Sequence, residues 1–136
     1  MRGAGGILIA LALALAGCAG VRQPACPAGQ ERLKTAQLFF GQQIGGRPSV
    51  SDADFRRFVD DELTPRFPDG LTVLDAGGQW RAADNPLVRA ASKVVLIVLP
   101  AKGDASPRIE AVQVAYKKRF RQDSVLVLTA ANCVSL

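Results

Sequence analysis

Two arginines near a proline-rich turn are the side chains in this chain best suited to hold a ligand. Arg66 lies between Pro65 and Pro68, and Arg81 directly follows Trp80, the single tryptophan. A guanidinium binds carboxylate or phosphate through two parallel hydrogen bonds, and an indole offers a flat apolar wall. The sequence therefore predicts a ligand site that could hold a small anion, with the candidate residues Arg66, Asp69, Gln79, Trp80, Arg81 and Tyr116.

Each of these residues also has a purely structural interpretation. Arg66 and Asp69 are close enough in sequence to pair with each other or to hold the turn. Trp80 has the size and amphipathic character of a residue that anchors an interface between subunits. Both interpretations stay open at the level of sequence.

Other types of catalytic centre find little support. The chain has no histidine, which removes the usual general base at neutral pH, and its glycines do not follow a phosphate-binding spacing. The consecutive carboxylates Asp60, Asp61 and Glu62 point to different faces of a helix. We therefore predict no catalytic residue, no metal and no cofactor. A cofactor-free enzyme using Tyr116, Arg66 or Arg81 is the alternative by fold analogy, and a purely structural component is a third.

The charge of the chain is mildly basic, with a formal net charge of +5. Nucleic-acid binding requires a denser cationic stripe interleaved with aromatic side chains, so we predict no nucleic-acid partner. One basic cluster falls at the end of the second predicted helix, where it is either solvated or in contact with anionic head groups. Its members are Lys117, Lys118, Arg119 and Arg121.

The first residues resemble the leader of a bacterial lipoprotein. A short apolar run at residues 7–15 follows Arg2, and small residues lead to Cys18. This run is shorter than the roughly 20 residues that span a bilayer, and its pattern is typical of a signal peptide. We expect residues 1–17 to be removed and Cys18 to be lipidated. Ala19 in place of aspartate favours the outer membrane over the inner one, with the protein facing the periplasm.

Two further cysteines remain, Cys26 and Cys133. In an oxidising compartment two leftover cysteines usually form a disulfide. A redox or metal role is less favoured because the spacing is not Cys-x-x-Cys and histidine is absent. Residues 18–34 contain proline and glycine without periodicity and are interpreted as a tether.

The rest of the chain alternates strand and helix patterns in the order βαββαβ. Gly77-Gly78 suggests a bend after the second strand, and residues 82–91 are interpreted as a loop. The order predicts an α+β, ferredoxin-like domain, with a four-stranded antiparallel sheet and two helices on one face. The predicted elements are strand 35–41, a helix from Ser51 to the prolines, strand 71–75, strand 93–99, helix 106–122 and strand 124–129.

The third predicted strand is apolar on both faces. Antiparallel sheets that meet water on one side normally alternate apolar and polar residues. Because two helices cover only one face, the other face requires a second subunit or an apolar ligand. We predict a homodimer.

Three segments carry a resemblance to a known family. They are TPRFPDGLTV at residues 64–73, GQWR at 78–81 and YKKRFRQDSV at 116–125, together with LFFG at 38–41. With these motifs the chain from Cys26 to Leu136 resembles the DUF3574 family of bacterial proteins. The resemblance implies a small exported or lipoprotein domain, here residues 35–136, and implies no mechanism.

Overall fold

The computed structural model of the chain describes residues 23–44 and 47–136. The predicted signal peptide and the lipidation site at Cys18 lie outside these residues. The helices and strands, in chain order, are β1 (Glu31–Gly41), β2 (Gln43–Ile44), β3 (Arg47–Pro48), α1 (Asp52–Phe58) with a π-helical continuation (Val59–Leu63), β4 (Thr72–Arg81), β5 (Leu87–Val98), α2 (Ser106–Phe120) and β6 (Leu126–Val134).

The main sheet has the strand order β4-β5-β1-β6, and every neighbouring pair is antiparallel. Strands β2 and β3 form a separate two-stranded ribbon. Setting that ribbon aside, the order of elements is βαββαβ, with the first and third long strands in the centre of the sheet. The predicted ferredoxin-like α+β fold is confirmed.

Local chemistry marks the start of both helices and the end of α2. The Ser51 hydroxyl accepts a hydrogen bond from the Asp54 backbone N–H at 3.1 Å, which satisfies one free donor of the first turn. Pro107 occupies the first turn of α2, where its missing N–H is not needed. Arg121 adopts a left-handed conformation with φ 52° and caps α2, which ends at Phe120, two residues before the predicted end.

The core lies between the helices and one face of the sheet, around a cluster of aromatic rings. The Tyr116 ring packs edge-on against Phe40 at 4.7 Å and against Phe58 at 5.0 Å between centroids. Phe55 and Phe120 extend the cluster. These edge-to-face contacts join α1, α2 and β1, so the three elements depend on one another for burial.

Several predicted boundaries are wrong, including the start of the third predicted strand and the end of the last one, which lie at Leu87 and Val134. β1 begins at Glu31 rather than at residue 35, so the last residues of the predicted tether belong to the sheet. β4 runs straight through Gly77-Gly78, because these glycines pair with Ala91 and Ala90 of β5. The predicted bend is absent from this strand, and residues 82–91 form only a short turn followed by strand.

The predicted disulfide is present between Cys26 and Cys133, with their Cα atoms 5.5 Å apart. It connects the segment before β1 to the end of β6. β1 and β6 are already neighbouring strands in the sheet. In the parts of the chain that the structure describes, no helix has the length and hydropathy to cross a bilayer.

Candidate functional site

The sheet has one face without helices, which we call the open face. Its residues follow from the register of the four strands, since alternate side chains point to the same side. At one level across the sheet, Leu74, Val94, Phe39 and Leu126 lie side by side. Glu31 is the one charged residue at the open-face positions of the described strands. These positions are Glu31, Leu33, Thr35, Gln37, Phe39, Gly41, Thr72, Leu74, Ala76, Gly78, Trp80, Val88, Ala90, Ser92, Val94, Leu96, Val98, Leu126, Leu128, Ala130, Asn132 and Val134.

This composition confirms that the second face of the sheet is apolar, as the sequence of the third predicted strand indicated. Leu126, Leu128 and Leu74 are exposed. The surface is unusual for a face in contact with water, because an open antiparallel sheet normally presents polar residues there.

A groove of about 830 Å³ lies at one end of the open face, where β1 begins and β5 ends. Its apolar lining includes Leu33, Leu96 and Val98, and its polar lining includes Asp69 and Thr72. The volume falls within the roughly 300–1,000 Å³ typical of small-molecule sites. Mostly apolar walls with a few polar groups are also typical of such sites.

Arg66 does not line this groove, although Asp69 does. The Arg66 guanidinium donates to the carboxylate of Glu62 at 2.8 Å and to its backbone carbonyl at 2.6 Å. Arg108 in turn donates to the carbonyl of Arg66 at 3.1 Å. Arg66 therefore stabilises the end of the first helix and pairs with Glu62 rather than with Asp69.

The other predicted cluster lies at the far end of β4. Arg81 donates to the backbone carbonyl of Asn85 at 3.0 Å and so holds the turn that follows. Gln79 accepts a hydrogen bond from Arg89 across the strand pair at 2.9 Å. Trp80 is 50% exposed and points to the open face.

The predicted anion site combining Arg66 and Arg81 is therefore not assembled in one molecule. Between Thr72 and Arg81 the chain is continuous strand, and at about 3.3 Å per residue these ends are about 30 Å apart. The prediction depended on a bend at Gly77-Gly78, and without that bend the two arginines cannot bind one ligand.

Tyr116 is also not a surface residue. Its side chain is fully buried, and its hydroxyl donates to the Gly41 carbonyl at 2.8 Å. Burial raises the pKa of the Tyr116 phenol well above its ordinary value. A neutral, hydrogen-bonded phenol in the aromatic core holds β1 to α2 and is not exposed to a ligand.

An ion cluster that joins one buried lysine to two exposed carboxylates was not predicted from the sequence. Lys93 is buried on the helix side of β5, with its ammonium 2.7 Å from Asp52 and in direct contact with Asp75. Hydrogen bonding to Lys93 holds the pKa of Asp52 below its ordinary value, and the two carboxylates raise the pKa of Lys93. A single lysine within an apolar strand was the available signal, since a buried ammonium requires carboxylate partners.

The basic cluster at the end of α2 is partly paired. Arg119 contacts Asp61 at 3.0 Å and Glu62 at 3.4 Å, and its guanidinium lies 5.4 Å from the centre of the Phe58 ring. It therefore binds α2 to the end of the first helix. Lys117 and Lys118 are exposed. Among residues 23–44 and 47–136, no group of three or more metal-ligating side chains lies together.

Solved structures with a similar fold include two of a phage S-adenosylmethionine (SAM) lyase. The apo form has a TM-score of 0.58 and 18% identity, and covers 77% of this chain and 90% of the lyase. The form in complex with S-methyl-5'-thioadenosine has a TM-score of 0.58 and 16% identity, with 85% and 96% covered. CutA from Synechococcus elongatus PCC7942, complexed with Bis-Tris, has a TM-score of 0.51 and 7% identity, with 79% and 88% covered. At these identities the likeness shows the fold alone.

Sequence comparison adds the family. A profile described as "Protein of unknown function (DUF3574)" matches residues 35–136. No curated protein matches the chain significantly.

Proposed function

Because the chain belongs to the DUF3574 family, whose description assigns no activity, we propose a function from the geometry of the open face. The protein is a lipid-anchored envelope protein that binds a small, largely apolar ligand and pairs with a second copy as a homodimer.

The groove is the observation that carries the ligand-binding proposal. It has the size of a small-molecule site, and it opens on a face whose residues are mostly apolar. Its two charged lining residues, Glu31 and Asp69, are both acidic, whereas the arginines expected to hold an anion are engaged elsewhere. The proposed ligand is therefore neutral or cationic rather than anionic.

The envelope address rests on the leader and on cysteine chemistry. Residues 1–17 have the pattern of a lipoprotein signal peptide, and Cys18 is the proposed acceptor of the lipid. The Cys26–Cys133 disulfide supports an oxidising compartment such as the periplasm. Ala19 supports transfer to the outer membrane.

Ligand binding is tested with the whole mature chain, exported with Cys18→Ser so that no lipid is attached. The probes are the apolar dye N-phenylnaphthylamine, followed by fluorescence, and S-methyl-5'-thioadenosine, followed by calorimetry. Val98→Arg places a charge on the apolar lining of the groove and should weaken binding of the dye at least tenfold. The matched control is Val114→Arg on the outer side of α2, since Val98 and Val114 are 40% and 53% exposed.

The two variants separate the possible outcomes. Loss of binding in Val98→Arg with retention in Val114→Arg supports the groove. Equal binding in both variants, or no binding of either probe by the unsubstituted mature chain, would overturn the ligand-binding proposal.

The anchor is tested separately by metabolic labelling with palmitate. The wild-type chain should carry the label, and Cys18→Ala should not. Ala19→Asp should keep the labelled protein in the inner-membrane fraction. A labelled Cys18→Ala protein would contradict the assignment of the anchor.

A further inference from the structure

Residues 78–90 of β4 and β5 extend beyond the sheet as a two-stranded arm. The last bond to the β1 side is from the Gln42 backbone N–H to the Ala91 carbonyl, at 3.1 Å. Beyond it, the pairs from Gly78 with Ala90 to Arg81 with Leu87 have no third strand within the described residues. A two-stranded ribbon is only marginally stable by itself in water, so the arm requires a surface to pack on.

The side of the arm that needs cover is continuous with the open face. Trp80 and Val88 form a cross-strand pair on this side, whereas Arg81 and Arg89 point to the other side. Half of the Trp80 surface is exposed, which is a large apolar area for a residue in a ribbon. The open face and the arm together therefore form a single apolar surface.

We propose that this surface is covered by a second copy with its strands reversed, so that Trp80 of each copy forms a wall of the groove of the other. This proposal rests on the homodimer proposed above and specifies its geometry. It makes each ligand site a shared site, with the apolar lining from one chain and an aromatic wall from its partner.

The register of β5 defines the axis of this arrangement. Val88, the pair of Trp80, and Val98, in the groove, lie five residues on either side of Lys93. Consider a two-fold axis that lies between the two packed sheets, runs perpendicular to the strands and passes the level of Lys93. This axis places Val88 of one copy opposite Val98 of the other. The level next to it is the apolar row that contains Val94 and Phe39. The same axis sets this row against the neighbouring level of the second copy, which carries the small residues Ser92 and Ala76, and places Trp80 of one copy over the groove of the other.

The charge of the open face also favours a second copy as the occupant. With Glu31 as the one charged residue at the described open-face positions, the face lacks the cations that an anionic membrane surface would attract, and it meets a copy of itself with little like-charge repulsion.

Cross-linking between variants that each carry one added free cysteine tests the proposed arrangement of the two copies. A mixture of Trp80→Cys and Val98→Cys chains, with the native disulfide intact, is treated with a bismaleimide that spans about 10 Å, the spacing of two packed sheets. We expect a heterodimeric product from this mixture. Trp80→Cys mixed with Val114→Cys is the matched control and should give none. Trp80→Cys alone should also give none, because the two arms point away from each other.

Light scattering of the same mature chain separates failure of the geometry from failure of the dimer. A dimer without the Trp80→Cys to Val98→Cys product, or with linked Trp80→Cys pairs, would overturn the shared groove and leave the homodimer in place. A monomer at all concentrations would remove both proposals.

The single tryptophan provides a second measurement without cysteines. In the shared groove its emission should shift to shorter wavelength as the protein concentration rises, because the indole leaves water on association. It should shift again when S-methyl-5'-thioadenosine binds. Emission that does not change across the transition seen by light scattering would place Trp80 outside the interface and contradict the proposal.

Discussion

The ammonium of Lys93 lies 2.7 Å from a carboxylate oxygen of Asp52, and this ion pair joins the interior strand β5 to the first turn of α1. The attraction in this ion pair requires the Asp52 carboxylate to be ionised, so the strength of the contact depends on pH. Asp75 contacts the same ammonium from β4, so one side chain connects three elements.

Lys93→Met should flatten the dependence of stability on acidic pH. The lowered pKa of Asp52 means that its pairing with Lys93 stabilises the fold above the ordinary value of 3.8, and that this contribution is lost as the pH falls through the lowered pKa. Without Lys93 the unfolding free energy should be lower at neutral pH and should change less between neutral and acidic pH. Urea unfolding at several pH values measures both effects. Lys102→Met, at an exposed lysine, is the control and should follow the wild-type curve.

Tyr116→Phe should destabilise the protein at neutral pH and protect it at alkaline pH. Losing the hydrogen bond to Gly41 costs about 1 kcal/mol. The pKa of Tyr116 is raised above its ordinary value of 10.0, so the phenol ionises first in the unfolded chain and stability falls as the pH rises above about 10. The variant lacks this loss. If the unfolding free energies of the wild type and the variant stay parallel up to alkaline pH, burial of the phenol does not cause the loss of stability.

Replacing both disulfide cysteines, Cys26→Ser with Cys133→Ser, should lower the unfolding free energy substantially. The bridge joins residues 107 apart, for which the chain-entropy model gives about 4–5 kcal/mol as an upper value. Denaturant unfolding measures the loss. Adding reductant to the wild-type protein should reproduce most of it, and an unchanged midpoint after complete reduction would contradict a structural role.

Phe39 and Phe40 form a matched pair, since they are adjacent in β1 and point to opposite faces of the sheet. Phe40 is fully buried in the aromatic core, so Phe40→Ala should cost about 3–5 kcal/mol of stability. Phe39 lies on the open face, so Phe39→Ala should instead weaken the pairing of two copies. Unfolding and light scattering on both variants separate the two roles, and equal destabilisation would show that the faces are not distinct.

The order of elements was predictable because buried strands and amphipathic helices leave periodic patterns. Strand 93–99 is apolar at both odd and even positions, and from this the sequence indicated the apolar open face. The length of the arm was not predictable, because Gly77 and Gly78 indicate a bend by composition and yet pair normally with small partners on β5.

The candidate site was predictable only in part. Asp69 lines the groove and Trp80 lies on the open face, and their roles in binding a ligand or a subunit stay predictions. Arg66 instead pairs within its own turn, since a glutamate four residues earlier is a closer partner than any side chain across the sheet. Such choices depend on which groups the fold brings together, and periodicity carries no information on them.

The disulfide also determines how the domain bears a mechanical load. Tension that arrives through the residues before Cys26 passes through the covalent bridge into β6 as well as into β1, which hydrogen-bond to each other along their length. β1 therefore cannot be peeled from β6 one hydrogen bond at a time from that end. A domain tethered to a membrane by this segment would resist pulling by shear of two strands together, and reduction of one sulfur–sulfur bond would convert the same tether into a point of unzipping.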